Sequence, residues 1–149
     1  MFLSVKNEAL LLTNEGSPAY DEAIAFMTSL MSLSALKWND KLASAAAYHT
    51  TDIGPKGLIT HNDSDGKKFD VRIQRYLTSY KLIGENIAFG SYNANAGKRV
   101  VLALLVDDGV LGRGHRANLF NAYYTDVGIS TGVHNSDLKM MTTMDFARL

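Results

Sequence analysis

Apolar residues recur three and four positions apart over most of this chain, which is the spacing of amphipathic helices. Gly54-Pro55 and Gly109 mark helix ends, and Pro18 suits the first turn of a helix that Ser17 would cap. The spacing predicts helices over the ranges Ser4 to Thr13, Ser17 to Met31, Asn39 or Asp40 to Ile53, Ser64-Asp65-Gly66 to Leu77, and Ala96 to Asp108.

Each of these helices carries an apolar stripe that we expect to be buried. The helix that follows Asn39 is rich in alanine, which favours close packing against its neighbours. His49 lies on its stripe, so we expect a core or cleft-edge residue rather than a ligand. The stripes comprise Tyr20, Ala23, Ile24, Met27, Leu30 and Met31; Leu42, Ala45, Ala46, His49 and Ile53; Val71, Ile73, Tyr76 and Leu77; and Val101, Leu104, Leu105 and either Asp108 or its neighbour.

The last part of the chain has the composition and turn residues of a β-hairpin. Strands are predicted over Val127 to Val133 and Leu138 to Phe146, joined by a turn in which we expect His134 to be solvated. A further short strand is predicted at Ile87 to Phe89. Helices followed by a terminal hairpin predict an α+β fold with an antiparallel sheet, in a single domain spanning residues 1–149.

Composition narrows the classes of function. The 149 residues are 46% hydrophobic and carry no net charge, which argues against a non-specific nucleic-acid binder. There is no cysteine, which excludes disulfides, cysteine-ligated zinc and thiol catalysis. No apolar run reaches the ~18 residues that a membrane span needs. The first residues lack the features of a signal peptide, so we expect either a cytosolic protein or a chain given without a removed leader.

Two histidines and two acidic residues stand in unusual local contexts. His61 lies in L-I-T-H-N, Glu85 in G-E-N-I-A, Asp107 in L-V-D-D-G and His115 in R-G-H-R-A-N. Imidazoles and carboxylates bind divalent metal ions and transfer protons near neutral pH. A fold that brings these residues together would make a site, with Asp108 as the alternative to Asp107.

Six short segments, taken in order, resemble one known family. They are L-K-W-N-D-K-L-A-S-A-A (Leu36 to Ala46), T-H (Thr60-His61), G-E-N-I-A (Gly84 to Ala88), V-V-L-A-L-L-V-D-D (Val100 to Asp108), G-H-R-A-N (Gly114 to Asn118) and Val127-Gly128-Ile129. Their order and approximate spacing are similar to those of the CAP superfamily of cysteine-rich secretory, antigen 5 and pathogenesis-related proteins. The form of the G-H-R-A-N motif resembles bacterial and protist members.

The resemblance implies an α-β-α sandwich with a three-stranded antiparallel sheet between helices. It also implies a cleft in which His61 and His115 hold zinc or another divalent cation weakly, with Glu85 and Asp107 as the acidic members. Asp107 stands where the family usually has glutamate. Because its side chain is one methylene shorter, we expect it to reach the cleft through water.

The resemblance further implies an exported protein, secreted, periplasmic or at the cell surface. We expect a binding module that takes a small ligand, a lipid or sterol, or a protein partner. The alternative is a metal-dependent hydrolase, a peptidase or esterase, with Glu85 and Asp107 as catalytic residues and Glu85 as the general base. The chain has no Gly-x-Ser-x-Gly elbow, so catalysis by a serine nucleophile is not expected.

Overall fold

The computed structural model describes residues 13–90 and 95–149, and helices cover both faces of its sheet. The helices are α1 (Ser17–Ser29), α2 (Asp40–Ile53), α3 (Phe69–Gln74), α4 (Ala96–Val106) and α5 (Gly114–Leu119), and the strands are β1 (Lys37–Trp38), β2 (Leu82–Phe89), β3 (Asp126–Val133) and β4 (Met140–Arg148). Among these helices, none has both the length and the apolar character needed to cross a membrane.

The sheet is mixed, and its strands follow the order β1-β3-β4-β2. The strands β2, β4 and β3 are antiparallel neighbours, whereas β1 pairs with β3 in parallel. The prediction of a three-stranded antiparallel sheet is therefore wrong, because the sheet has a fourth, parallel strand. Strand β1 contains only Lys37 and Trp38, which is too short to show an alternation in sequence. Its backbone pairing with β3 alone makes it a strand.

Alternate side chains of β2 and β4 face opposite helix layers, because successive residues of a strand point to opposite faces of the sheet. On one face, a core cluster joins the sheet to α4, and on the other face the sheet packs under α2 and α3. The first cluster contains Ala88, Val100, Leu104, Tyr124, Met144 and Phe146. The other face contributes Ile83, Ile87, Met141 and Ala147.

Helix α2 lies directly against β3, because the strand has glycine where the helix crosses it. A β-carbon on Gly128 would lie 2.0 Å from the backbone nitrogen of Ala43, and one on Gly132 would lie 2.5 Å from Thr50 Cγ2. Asn39 caps the helix as predicted, since its Oδ1 accepts from backbone N–H groups of the first turn. The predicted stripe is confirmed: Leu42, Ala45, Ala46, His49 and Ile53 are all buried.

Helix α1 buries less than the sequence predicted. Its buried residues are Ala19 and Ala23, which pack against Val106 of α4. Ile24 is 63% exposed and Met31, beyond the end of the helix, is 83% exposed. Tyr20 is partly buried and packs against the same cluster, whereas Ile24, Met27 and Met31 of the predicted stripe stay exposed. The helix predicted from Ser4 lies outside the described residues up to position 12, and Thr13 is not helical.

Helices α3 and α4 are shorter than predicted. Helix α3 begins at Phe69, because the preceding residues form a turn in which Gly66 N donates to Asp63 O at 2.8 Å. Helix α4 ends at Val106 and not at Asp108. Val100 rather than Val101 lies on its buried face.

Strand β2 is longer than the predicted segment Ile87 to Phe89, and it includes Glu85, which lay outside that segment. Helix α5 was not predicted at all, because six residues are too few to show a helical period.

Candidate functional site

The first pair of predicted site residues forms by direct contact. His61 Nδ1 lies 2.7 Å from Glu85 Oε1. The Glu85 side chain is 1% exposed, whereas that of His61 is 55% exposed. Because a carboxylate only accepts hydrogen bonds, the proton lies on Nδ1 and the lone pair of the neutral ring lies on Nε2. Within the described residues Nε2 has no hydrogen-bond partner, so it is available to a ligand.

A buried arginine, Arg72 of α3, holds the other side of Glu85. Its Nη2 donates to Glu85 Oε2, and its Nη1 donates to Asp63 Oδ1 at 2.7 Å. Arg72 and both carboxylates are almost fully excluded from solvent. The sequence did not mark Arg72 as a site residue, because most arginines are exposed. The one indication in the sequence was that Arg72 directly precedes Ile73, a residue of the predicted apolar stripe.

His49 of α2 joins this buried network as a neutral ring. Its Nδ1 lies 2.8 Å from Arg72 Nη1, and its Nε2 lies 3.1 Å from Thr60 O. Nδ1 must therefore accept from the guanidinium, while Nε2–H donates to the carbonyl. Burial, and then the positive charge of Arg72, lower the pKa of His49 below its usual value. His49 is thus a core residue, as expected, and it also supports the loop that carries His61.

His134 supports the same loop from the hairpin turn. It is 1% exposed, so the prediction of a solvated histidine was wrong. Its Nε2 lies 3.0 Å from Leu58 O, its Nδ1 lies 2.7 Å from Ser136 Oγ, and its ring packs edge-on against Phe89. The hairpin turn folds over the loop, a contact between segments far apart in sequence.

The second pair also forms directly. His115 Nδ1 lies 2.6 Å from Asp107 Oδ1. The other oxygen, Oδ2, accepts from the backbone N–H groups of His115 at 2.9 Å and Arg116 at 3.2 Å. Asp107 has the left-handed φ of 54°, which ends α4 and turns the carboxylate towards the first turn of α5. The expected contact through water is therefore wrong, and the negative charge suits the N-terminus of α5.

Asp108, the alternative to Asp107, has a different role. Its carboxylate accepts from the backbone N–H groups of Asn14 at 2.6 Å and Glu15 at 3.0 Å. These bonds tie the segment before α1 to the end of α4. Asp107 is consequently the acid that pairs with His115. The His115 ring is 29% exposed, and its Nε2, like that of His61, has no hydrogen-bond partner in the part of the chain that the structure describes.

The two pairs are joined at β2, the strand at one end of the sheet. Glu85 points towards α3, and the next residue, Asn86, points towards α5. Asn86 Nδ2 donates to His115 O at 2.9 Å, and Asn118 Nδ2 donates both to Glu85 O at 3.2 Å and to Asn86 Oδ1 at 2.9 Å. The asparagines of the G-E-N and G-H-R-A-N motifs thus attach α5 to the strand that carries Glu85.

The glycine of the G-E-N motif makes room for this attachment. A β-carbon on Gly84 would lie 2.1 Å from the hydroxyl oxygen of Tyr124. That hydroxyl lies 3.3 Å from Asn118 Oδ1 and completes the hydrogen bonding of the amide. Any larger residue at Gly84 would displace Tyr124. It would thereby also disturb the Asn118 amide, which donates to Glu85 O of β2.

Asp145 of β4 lies beside Glu85, because the two residues are paired between the neighbouring strands β4 and β2. Its side chain is fully buried, and neither carboxyl oxygen has a hydrogen-bond partner among the described residues. Burial, and then the negative charge of Glu85, raise the pKa of Asp145 well above its usual value. A buried carboxyl group beside a carboxylate favours the neutral acid.

A shallow pocket of about 250 Å³ lies beside the second pair. It is lined by Ala88, Phe89, Ala103, Leu104, Asp107, Asp108 and His115. Where the structure describes the chain, no three histidine, aspartate or glutamate side chains converge in a way that could hold a metal ion.

Comparison with known sequences identifies one family. The sequence pattern of the cysteine-rich secretory protein family, CAP, matches residues 29–146. This range contains all four predicted site residues and both motifs that attach α5 to β2. No curated protein sequence matches the chain.

Several solved structures share the fold. An extracellular protein from Bacillus anthracis that contains an SCP domain is 26% identical with a TM-score of 0.63, over 89% of this chain and 40% of its own. An outer surface protein of Borrelia burgdorferi is 24% identical with a TM-score of 0.65, over 89% of this chain and 90% of its own. A cysteine-rich secretory protein of Staphylococcus aureus is 15% identical with a TM-score of 0.56, over 91% of this chain and 38% of its own. The chain thus spans about two fifths of the length of the Bacillus anthracis and Staphylococcus aureus proteins.

Proposed function

The chain belongs to the cysteine-rich secretory protein (CAP) family, and from this premise we propose that it is an exported binding module in which His61 and His115 bind a divalent cation. One observation carries the proposal. In each pair a buried carboxylate engages Nδ1 and leaves Nε2 without a protein partner among the described residues. Metal-binding histidines commonly have this arrangement, because the carboxylate fixes the tautomer and raises the basicity of the ring.

The ligand type supports zinc or another cation that accepts imidazole. Two neutral imidazoles supply two ligands, and water would complete the coordination. A site with only two protein ligands is open, so we expect it to bind the cation weakly. When bound, the cation would polarise a ligand at its open positions. The protein side chains would orient the rings and carry no part of that chemistry.

Zinc titration of the full chain tests this proposal. We expect one zinc ion per chain by calorimetry, and we expect His61→Ala and His115→Ala each to weaken binding at least about tenfold, since each removes one of two ligands. Asp65→Asn is the control, because this exposed carboxylate contacts neither pair. Unchanged affinity in both histidine variants, or no zinc binding by the unmodified protein, would contradict the proposal.

The hydrolase alternative has less support from the surroundings of its proposed base. Both oxygens of Glu85 are already engaged, by His61 and by Arg72, and the side chain is 1% exposed. A general base must come within about 3 Å of the proton that it removes. Asp107 is similarly occupied by N–H groups. We therefore expect any peptide or ester hydrolysis to be unchanged by Glu85→Gln once the variant is shown to bind zinc.

Export, which supports an extracellular partner or ligand, rests on the family and on the surface or extracellular proteins that share the fold. A lipid or sterol ligand stays a prediction. The described residues form an apolar groove of about 300 Å³ between α1 and α4. It is lined by Tyr20, Ala23, Ile24, Met27, Thr28, Leu102, Leu105 and Val106. Displacement of a fluorescent fatty acid or sterol would test that groove.

A further inference from the structure

We propose that Arg72 is the positioning residue of the His61–Glu85 pair, acting on both members at once. Its guanidinium holds the Glu85 carboxylate against His61 Nδ1, and it also holds the loop from which His61 projects. The inference about the tautomer of His61 stands on geometry alone. Its consequence for cation affinity rests on the proposed function.

The first contact set of Arg72 fixes the carboxylate. Glu85 Oε2 is bound by Nη2, which leaves Oε1 directed at His61 Nδ1, 2.7 Å away. A carboxylate held on both oxygens has a defined orientation, whereas a single hydrogen bond allows it to rotate. Because Nδ1 must then donate, Arg72 selects the tautomer in which Nε2 of His61 is the free lone pair.

The second contact set fixes the loop. Arg72 Nη1 lies 3.3 Å from His61 O and 2.7 Å from Asp63 Oδ1, so it binds the loop at His61 and again two residues later. Through His49 Nδ1, at 2.8 Å, it also orients the ring that holds Thr60 O. The Arg72 side chain is fully buried, and hydrogen bonds to these partners restrict its conformation.

The second pair offers a matched comparison. Arg116 is also a buried arginine, but its side chain donates to the carbonyl groups of Leu105 and Val106 and to Glu22. It touches Asp107 through its backbone N–H alone. Loss of the Arg116 side chain therefore removes a buried guanidinium from the fold without changing either imidazole tautomer. Loss of Arg72 removes a guanidinium on which a tautomer depends.

The test is ¹⁵N NMR of the histidine rings at a pH where they are neutral, with Arg72→Met, Arg72→Lys and Arg116→Met in the full chain. In the unmodified protein we expect His61 as the Nδ1–H tautomer. In Arg72→Met we expect His61 to show both tautomers, as a solvated imidazole does, while His115 keeps its signals. Arg116→Met should lower the thermal midpoint and leave His61 unchanged.

Arg72→Lys covers the case in which Arg72→Met does not fold. Lysine keeps the positive charge but cannot bind two carboxylates with a planar fork. The fraction of His61 in the Nδ1–H tautomer should therefore lie between that of the unmodified protein and that of Arg72→Met. Zinc affinity should drop about 10-fold to 100-fold in Arg72→Met and less in Arg72→Lys. A folded Arg72 variant with an unchanged His61 tautomer would overturn the proposal. Absence of zinc binding with the expected tautomer change would overturn the cation site alone.

Discussion

Alanine at Gly128 is expected to destabilise the protein by about 3 kcal/mol or more, which is the largest effect of a single methyl group that this fold predicts. The added β-carbon would lie 2.0 Å from Ala43 N, 2.3 Å from Leu42 C and 2.6 Å from Leu42 Cβ. Two of these atoms belong to the backbone of α2, so no side-chain rotation relieves the overlap. The helix must move off β3, and the buried face around Leu42 loses its packing.

Chemical denaturation of Gly128→Ala and of the unmodified protein would measure this loss as a difference in the free energy of unfolding. Gly97→Ala is the matched control, since no atom lies within 4 Å of the added β-carbon and the residue is in helix α4. It should be neutral or stabilising by up to about 1 kcal/mol. A loss below about 1 kcal/mol at Gly128 would mean that α2 does not rest on β3 at this distance.

Asparagine at Asp145 is expected to stabilise the protein by about 2 kcal/mol at neutral pH. Burial raises the pKa of Asp145 well above its usual value, so the folded state binds this proton more tightly than the unfolded state does. Its contribution to stability is therefore complete below the unfolded pKa of 3.8 and is lost as the pH rises from there through the folded pKa. Asparagine resembles the neutral acid at every pH and avoids this loss.

The gain from Asp145→Asn should accordingly shrink as the pH falls towards about 4, where the unmodified carboxyl group is also neutral. Denaturation curves across this pH range would show it. Asp126→Asn on β3 is the control, because the Asp126 carboxylate accepts from Asn39 Nδ2 at 3.2 Å and from Thr125 Oγ1 at 2.7 Å. That variant should gain nothing at neutral pH. A destabilised Asp145→Asn at neutral pH would show that Asp145 is ionised and paired.

Glu85, Asp63 and Asp145 are all buried acids, but Arg72 contacts only the first two. Glu85 and Asp63 each receive a guanidinium hydrogen bond, whereas Asp145 has no donor among the described residues. Charged carboxylates in a protein interior need such partners, and a carboxyl group without one favours its neutral form. Removing Arg72 would therefore take the buried hydrogen-bond donor away from both carboxylates, leaving Glu85 with His61 and Asp63 with Arg75, whose Nη2 lies 3.3 Å from Asp63 Oδ2. The variants in which its replacement is tested must first be shown to fold.

Local sequence patterns predicted the parts of the fold that depend on local spacing. The stripe of α2, its Asn39 cap and the β3–β4 hairpin all follow from residues close together in the chain. The motif contexts singled out His61, Glu85, Asp107 and His115, and the structure pairs each histidine with one of these acids. For α1, periodicity predicted the helix and the burial of Ala23, but Ile24, Met27 and Met31 of the predicted stripe stayed exposed.

By itself, then, the sequence determined the main helices, the hairpin, the family and the four residues of the candidate site, because each leaves a pattern in consecutive residues. Only the tertiary structure decided the parallel strand β1, the burial of His134 and the direct reach of Asp107 to His115. The same holds for Arg72, whose partners lie 9 to 23 residues away in sequence. A buried charge is defined by the groups that surround it, and those groups are assembled only when the chain folds.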